Sequence, residues 1–298
     1  MFRNFLIIGC GLIGSSILRA SLNKKIAKKF FVFEKSKKNI SKIKKINSKI
    51  KILKSLDKNL KNIDAVFICT PMSEYKKIII KLNKNLNHNS LITDVGSTKK
   101  KMINLKNNFL NKKLNWISSH PIAGSEVSGP EYGNKNLFFK KWCVIVKEKK
   151  QNTKKIKLLR RFWKKVGSNV VFMNASKHDE VFSITSHLPH LIAYNLIKTA
   201  QTSQKIEKKT FLKFSAGGLR DFSRIAASNE IMWRDIFFSN DNIIRSINLF
   251  SKNLNYFKKI IKKKNNKKMI LNLKNTKKVR KQIVQLKQDI AKPDFGRE

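Results

Sequence analysis

The sequence predicts an α/β fold, with an N-terminal doubly wound parallel sheet followed by an all-helical domain. Three observations predict it. Short apolar runs alternate with amphipathic stretches in the first half of the chain, a glycine-rich motif follows the first run, and no convincing strand pattern follows Met173. We therefore divide the 298 residues into an α/β domain, 1–173, and a helical domain, 174–298.

Seven short apolar runs, most of them ended by Gly, Asp or Pro, predict buried strands. They span residues 5–9, 30–34, 65–70, 90–96, 116–120, 142–146 and 169–173. The stretches 15–23 and 153–166 are typical of the helices that cover such a sheet. Strands alternating with helices indicate parallel pairing with helices on both faces.

Apolar residues at three- and four-residue spacing predict helices from residue 178 onward. Ser176 and Asp179 resemble a capping box, which places the start of the first helix at Ser176. Pro189 lies inside this helix and is expected to kink it. The polar end of the chain, 277–298, is expected to fray.

The composition fits a folded protein of a reducing compartment. Hydrophobic residues make up 41% of the chain, and no apolar run is long enough to cross a membrane. The first apolar run is interrupted by regularly spaced glycines, which argues against a signal peptide. Three scattered cysteines favour neither a disulfide framework nor a metal site. We expect a cytoplasmic protein without a bound metal.

The formal net charge of +48 raises the question of nucleic-acid binding. Most of the basic residues are lysine, whereas arginine is favoured for bidentate contacts with phosphates and bases. The lysines are mixed with asparagine and isoleucine along the whole chain. We interpret them as solvated surface residues. Attraction of an anionic substrate and binding of a polyanion are the less favoured alternatives.

A glycine fingerprint follows the first predicted strand and opens the first helix, as in Rossmann-type domains. It runs through Gly9, Gly11, Leu12, Ile13 and Gly14. Such a loop lets a pyrophosphate lie on the helix N-terminus. Glu34 ends the second strand 20 residues later, where a carboxylate accepts ribose hydroxyls and favours NAD over NADP. The residues 35–37, Lys-Ser-Lys, keep NADP as an alternative.

Four further residues follow later predicted strands, at the edge of the sheet where ligands bind in doubly wound folds. They are Thr70, Pro71, Asp94 and Ser97. We expect them to contact the cofactor. For Thr70 and Pro71, an ordinary strand end is an equally good interpretation.

Two sequence blocks go beyond a general Rossmann pattern. DVGSTK (94–99) precedes HPIAGSE (120–126), and SHLPH (186–190) precedes SAGGLRDFSR (215–224). At these residues the sequence resembles the prephenate/arogenate dehydrogenase family, from Gly9 to about Phe250. The resemblance implies NAD-dependent oxidative decarboxylation of prephenate to 4-hydroxyphenylpyruvate in tyrosine biosynthesis. The alternative substrate is arogenate, which gives tyrosine directly. The resemblance also implies that the helical domain forms a homodimer.

The resemblance assigns His120 as the catalytic group that takes the substrate's hydroxyl proton, because it matches the family's catalytic histidine. Neutral imidazole accepts protons near pH 7. Ser97 matches the serine that orients this histidine beside the nicotinamide, although a serine there can also cap a helix.

Substrate-binding residues are implied in the same way. Arg224 matches an arginine that grips a substrate carboxylate, and His190 matches a pocket histidine. Gly124, Ser125 and Glu126 match a loop that borders the substrate, and Glu126 is expected to bind the substrate side chain or gate the pocket. The remaining assignments are Trp233, either lining the pocket or in the core, Gly217, in a turn with Gly218 beside the pocket, and His178 and His187, both interpreted as structural.

Two other functions compete with this interpretation. A dehydrogenase of 3-hydroxy acids shares the two-domain plan but uses a lysine as proton acceptor and has no need of the HPIAGSE and SHLPH blocks. The other alternative is a basic protein that binds nucleic acid through a Rossmann-type fold without catalysis. The presence of His120, His190 and Arg224 together argues against it.

Overall fold

A computed structural model describes residues 1–57, 60–203, 208–286 and 288 of the chain. These described residues form nine strands: β1 Phe2–Ile8, β2 Ala27–Phe33, β3 Lys51–Leu53, β4 Ala65–Ile68, β5 Leu91–Asp94, β6 Asn115–Trp116, β7 Ser119–Pro121, β8 Trp142–Val146 and β9 Asn169–Met173. The α-helices of the first domain are α1 Leu12–Asn23, α2 Lys37–Lys44, α3 Tyr75–Asn85, α4 Lys100–Phe109 and α5 Thr153–Lys165.

The strands form two sheets rather than one. The main sheet is parallel throughout and has the order β3-β2-β1-β4-β5-β6. The smaller sheet has the order β7-β8-β9, with β7 antiparallel to β8. The predicted strand 116–120 is therefore wrong as a single element, because β6 ends the main sheet and β7 begins the smaller one. The short strand β3 escaped prediction.

Side chains that alternate along the strands fill two cores, one on each face of the main sheet. On one face, Phe5 and Phe67 of β1 and β4 pack against Phe162 of α5, with ring centroids 4.5–5.8 Å apart. On the other face, Leu6 and Ile68 belong to a cluster with apolar residues of α3. This three-layer packing confirms the doubly wound α/β fold and fixes the strand ends that carry the site.

The second domain is helical in every part that the structure describes. Its helices are α6 Ala175–Phe182, α7 Leu188–Thr202, α8 Lys208–Lys213, α9 Gly217–Ala226, α10 Glu230–Phe237, α11 Asn242–Lys262 and α12 Asn266–Gln285. A π-helical turn, Ser183–His187, joins α6 to α7, and Pro189 lies in the first turn of α7. The bend expected at Pro189 therefore coincides with a π-helical insertion, a feature frequent at functional sites.

Three local predictions in this domain need correction. The side chain of Asn174, not Ser176, caps α6 by accepting a hydrogen bond from the backbone of Lys177. Gly217 and Gly218 open α9 instead of forming a turn. The fraying predicted for 277–298 is not seen up to Gln285, which is helical; residues 289–298 lie outside the described part of the chain.

Across the described residues, the helices are either too short or too polar to span a bilayer.

Candidate active site

The glycine loop joins β1 to α1, and its three glycines meet different constraints. Gly9 has a φ of +81°, a backbone conformation that disfavours side chains. A Cβ on Gly14 would lie 2.2 Å from the carbonyl oxygen of Gly9, so this glycine lets helix and strand pack closely. A Cβ on Gly11 would meet nothing within 4 Å. The space beside Gly11 is therefore open to a ligand.

The first turn of α1 offers free backbone N–H groups at this loop. Gly11 is the N-cap residue and supplies no side chain to cap the helix, and no acidic residue lies in the first turn. Leu12 and Ile13, the first helical residues, are half-buried. The hydroxyl oxygen Oγ1 of Thr70, whose methyl group packs beside Gly9, is buried without a hydrogen-bond partner among the described residues. These donors suit a pyrophosphate.

Glu34 follows β2 and is held against the glycine loop. Its carboxylate accepts hydrogen bonds from the backbone N–H of Cys10, at 2.9 Å, and of Ser36, at 3.0 Å. Two of the three neighbours expected to receive a 2′-phosphate, Lys35 and Ser36, are already engaged. Lys35 pairs with Glu74, and the hydroxyl of Ser36 caps α2. The arrangement thus favours a nucleotide with a free 2′-hydroxyl.

Asp94, at the end of β5, has a side chain that is engaged by neighbouring residues of the protein. It is fully buried and forms an ion pair with Lys99, whose Nζ lies 2.6 Å from Oδ2 and is also fully buried. Lys99 donates a second bond to the backbone carbonyl of Ser119, and the indole Nε1 of Trp116 donates to Asp94. The side chain of Asp94 thus holds the strand ends together, and the contact of Asp94 with the cofactor stays a prediction. Pro71 follows Thr70 in the loop after β4 and is the N-cap residue of a short 3₁₀ turn.

His120 lies in β7, at the junction of the two domains. Its ring is 9% exposed, and Nδ1 lies 2.8 Å from Nε2 of His178, which belongs to α6 of the helical domain. The other ring nitrogen of His178, Nδ1, lies 2.8 Å from Oδ1 of Asp179. The rings of His120 and His178 both pack against Phe182. A chain of three side chains therefore leads from His120 into the helical domain.

The surroundings of His120 favour its neutral form. Burial lowers the pKa of His120 well below the usual value, and the nearby His178, Lys99 and His187 lower it further. Burial likewise lowers the pKa of His178, against the opposing effect of Asp179. At neutral pH both imidazoles are therefore uncharged, and His120 is able to accept a proton.

The loop that begins at His120 ends at Glu126, which reaches the helical domain. Its Oε2 lies 3.4 Å from Nη1 of Arg224 on α9 and accepts a bond from the hydroxyl of Ser125. The side chain of Arg224 is 37% exposed, and its Nε is buried without a hydrogen-bond partner in the described chain. Arg224 therefore keeps donor capacity for an anion. Gly124, in the same loop, faces open space, as does Gly217 at the start of α9.

His190 and Trp233 form a stacked pair between α7 and α10. Their ring centroids are 3.8 Å apart, and Nδ1 of His190 pairs with the backbone carbonyl of Ser186 one turn earlier. Trp233 is 5% exposed, and its Nε1 is buried with no partner among the residues described. Trp233 thus holds the ring of His190 in place by stacking against it.

Sequence patterns missed three members of this site. His178 and Asp179 were attributed to the start of a helix, and Lys99 received no role. Asp94 and Lys99 are opposite charges five residues apart in the motif DVGSTK, and this spacing could have predicted their ion pair. Ser97 is half-buried in the loop before α4, but the partner observed at Nδ1 of His120 is His178. The orienting role of Ser97 stays a prediction.

Two family models match the chain in succession. Residues 19–172 match the prephenate dehydrogenase nucleotide-binding domain, and residues 174–275 match the prephenate dehydrogenase dimerization domain. The first match alone covers more than half of the chain.

Individual relatives agree with these models. The cyclohexadienyl dehydrogenase of Zymomonas mobilis is 30% identical over 241 residues, which cover 80% of this chain and 82% of the relative. The prephenate dehydrogenase of Lactococcus lactis is 30% identical over 255 residues, which cover 85% of this chain and 69% of the relative. A solved prephenate dehydrogenase from Aquifex aeolicus, in complex with hydroxyphenyl propionate and NAD⁺, is 32% identical. It superposes with a TM-score of 0.85 over 95% of this chain and 99% of that one. The chain therefore belongs to the prephenate dehydrogenase family and is a dehydrogenase.

Proposed function

We propose that this enzyme oxidatively decarboxylates prephenate with NAD, giving 4-hydroxyphenylpyruvate and CO₂ for tyrosine synthesis. The observation that carries the proposal is the loop from His120 to Glu126. It begins with a buried, neutral histidine and ends in contact with Arg224 of the other domain. This loop supports a site in which His120 is the proton acceptor and Arg224, which contacts Glu126, is the cation that binds a carboxylate. The nearby dehydrogenase relatives support this reaction.

The reaction needs a group that takes a proton while the ring is oxidised. His120 accepts the proton of the ring hydroxyl as the hydride leaves the same carbon, so that this carbon becomes a carbonyl. The proton returns to the oxygen when the ring becomes aromatic, which gives the phenol. The ring carboxylate leaves as CO₂, and its bonding electrons complete the aromatic ring. Bound NAD supplies the hydride acceptor. Because His120 is buried, little water competes for its free nitrogen.

The glycine loop, the uncapped N-terminus of α1 and Glu34 are the groups that would hold NAD. The open space at Gly11 and the unsatisfied hydroxyl of Thr70 fit its pyrophosphate. Glu34 is placed to accept the adenosine ribose hydroxyls, and its charge repels a 2′-phosphate. We therefore propose NAD rather than NADP as the cofactor.

Two glycine substitutions separate cofactor binding from folding. Gly11→Ala is expected to leave the melting temperature nearly unchanged but to raise the Kd for NAD about tenfold or more, because the new methyl group occupies the pyrophosphate position. Gly14→Ala is expected to cost about 1–3 kcal/mol of stability, because its methyl group collides with the backbone of Gly9. Thermal unfolding and NAD titration by calorimetry measure both effects. Unchanged NAD affinity in Gly11→Ala would place the pyrophosphate elsewhere.

Arg224 is expected to bind a substrate carboxylate. Arg224→Ala should raise KM about 10- to 100-fold with a smaller change in kcat, since a charge-assisted pair of hydrogen bonds contributes about 1.5–3 kcal/mol to binding. Arg161→Ala removes the same charge from an exposed position on α5 and is the matched control. Steady-state kinetics at one ionic strength distinguish the two variants. An unchanged KM in Arg224→Ala would remove Arg224 from the substrate site.

The helical domain is proposed to form a homodimer, in keeping with its match to a dimerization domain. Several large apolar side chains of α11 are exposed in the single chain, including Ile244, Leu249, Leu254 and Ile261. A second copy packed against α11 would reduce the exposure of this apolar surface. Free cysteines and an anionic substrate fit a cytoplasmic enzyme.

The deciding experiment follows NADH formation by absorbance with the purified protein, comparing prephenate with arogenate. Prephenate is expected to give the larger kcat/KM. A larger value with arogenate would make the enzyme an arogenate dehydrogenase that releases tyrosine directly. No turnover of either substrate, with NAD or NADP, would refute the proposed function.

A further inference from the structure

Three N–H donors meet the carboxylate of Asp179 at the start of α4. Oδ1 accepts from the backbone N–H of Lys99 at 2.8 Å, and Oδ2 accepts from that of Lys100 at 2.8 Å. The third donor is the ring of His178, 2.8 Å from Oδ1. Asp179 is 1% exposed, and the side chain of Asn240 donates to its backbone carbonyl. The carboxylate is therefore fixed in place and acts only as an acceptor.

A fixed acceptor determines where the protons of the two histidines lie. Because Asp179 accepts, Nδ1 of His178 carries its proton, and a neutral His178 then has a lone pair on Nε2. That lone pair faces Nδ1 of His120 at 2.8 Å, so Nδ1 of His120 carries the proton of that bond. The remaining nitrogen of His120, Nε2, has a free lone pair.

We propose that His178 and Asp179 are positioning residues that hold His120 as the Nδ1–H tautomer, with Nε2 as the proton acceptor. This inference rests on the proposed function. The proton moves from the substrate's ring hydroxyl to Nε2 of His120, and the resulting imidazolium is stabilised through its Nδ1–H bond to His178. His178 and Asp179 need not change their own protonation for this step.

The hydrogen-bonded series His120, His178 and Asp179 also connects the two domains. His120 belongs to the nucleotide-binding domain, whereas His178 and Asp179 belong to α6 of the helical domain. Asp179 also binds the backbone of the loop before α4, in the first domain. The same carboxylate therefore joins the domains and sets the tautomer, so the proton acceptor is complete only when the domains are docked.

The tautomer itself is the first test, and it requires no turnover. Long-range ¹⁵N–¹H correlation spectra of the full-length protein distinguish protonated from unprotonated ring nitrogens in its five histidines. The variant His120→Asn identifies the signal of His120. We expect a protonated Nδ1 and an unprotonated Nε2 at pH 7.5. Finding His120 as the Nε2–H tautomer would overturn the proposal even if the enzyme oxidises prephenate.

Two substitutions of His178 separate its two hydrogen bonds. The amide of glutamine reaches the position of Nε2, so His178→Gln keeps an acceptor for His120 and loses the bond to Asp179. The shorter asparagine reaches the position of Nδ1, so His178→Asn keeps the bond to Asp179 and loses the one to His120. We expect kcat to fall about 100-fold or more in His178→Asn and about tenfold or less in His178→Gln, with KM nearly unchanged in both.

The pH profile of kcat distinguishes a positioning role of His178 from a merely structural one, because loss of a merely structural residue would not shift that profile. The titratable groups that act on the rings of His120 and His178 are Lys99 and Asp94 of the first domain and Asp179 and His187 of the second. All four remain in both variants. In His178→Asn the signal of His120 should shift toward the Nε2–H form, and the acid limb of kcat should move relative to wild type. Equal losses of kcat in the two variants, with the tautomer of His120 unchanged, would refute the positioning role.

Discussion

Replacement of His120 by asparagine is expected to lower kcat by about two to four orders of magnitude, the usual contribution of a general base. The asparagine side chain retains a group near Nδ1 that can bind His178, but nothing replaces Nε2, the nitrogen assigned to accept the proton. The loss should appear in kcat rather than in KM. Steady-state kinetics with prephenate and saturating NAD measure it.

Cofactor binding provides the internal control for this variant. The groups proposed to hold the pyrophosphate and the adenosine ribose of NAD lie in the loops after β1, β2 and β4, and His120 lies in β7 of the smaller sheet. The Kd for NAD is therefore expected to stay within about twofold of the wild-type value. Turnover near the wild-type rate would eliminate His120 as the proton acceptor. Loss of NAD binding along with turnover would instead indicate a misfolded site.

Local patterns predicted the strand, turn and helix of the glycine loop and the acidic residue beside it, because these parts are close in sequence. Gly9, Gly11 and Gly14 lie in one turn between a strand and a helix. Glu34 ends the next strand and pairs with the same turn. Short apolar runs likewise predicted the strands of the main sheet except β3. An apolar run, however, does not say which sheet it joins, so the break between β6 and β7 within 116–120 was not foreseen.

The catalytic half depends on contacts between distant parts of the chain. His120 and His178 are 58 residues apart, and Lys99 and Asp179 are 80 apart. Asp179 has the local spacing of a capping residue and does cap a helix, but the helix is α4 rather than its own. Neither periodicity nor motif spacing encodes such a pairing. It becomes visible only when both domains are folded together.

Lys99→Met is expected to give the largest loss of stability, about 3–5 kcal/mol, because it leaves the carboxylate of Asp94 buried without its counter-charge. Among the described residues, the indole N–H of Trp116 and the backbone N–H of Gly96 would still bind that carboxylate. Methionine fills most of the volume of the lysine stem, so lost packing contributes little. Urea unfolding at one fixed protein concentration measures the free energy of unfolding.

Two companion variants separate the buried charge from other causes of this loss. Lys35→Met removes one partner of an exposed ion pair, with Glu74, and is expected to cost about 0–1 kcal/mol. Asp94→Asn combined with Lys99→Met removes both charges and keeps an acceptor for Trp116, so it should recover most of the stability lost in Lys99→Met. If Lys99→Met costs no more than Lys35→Met, the buried pair does not hold the strand end that precedes His120. Recovery in the double variant would show that the cost lies in the unpaired carboxylate.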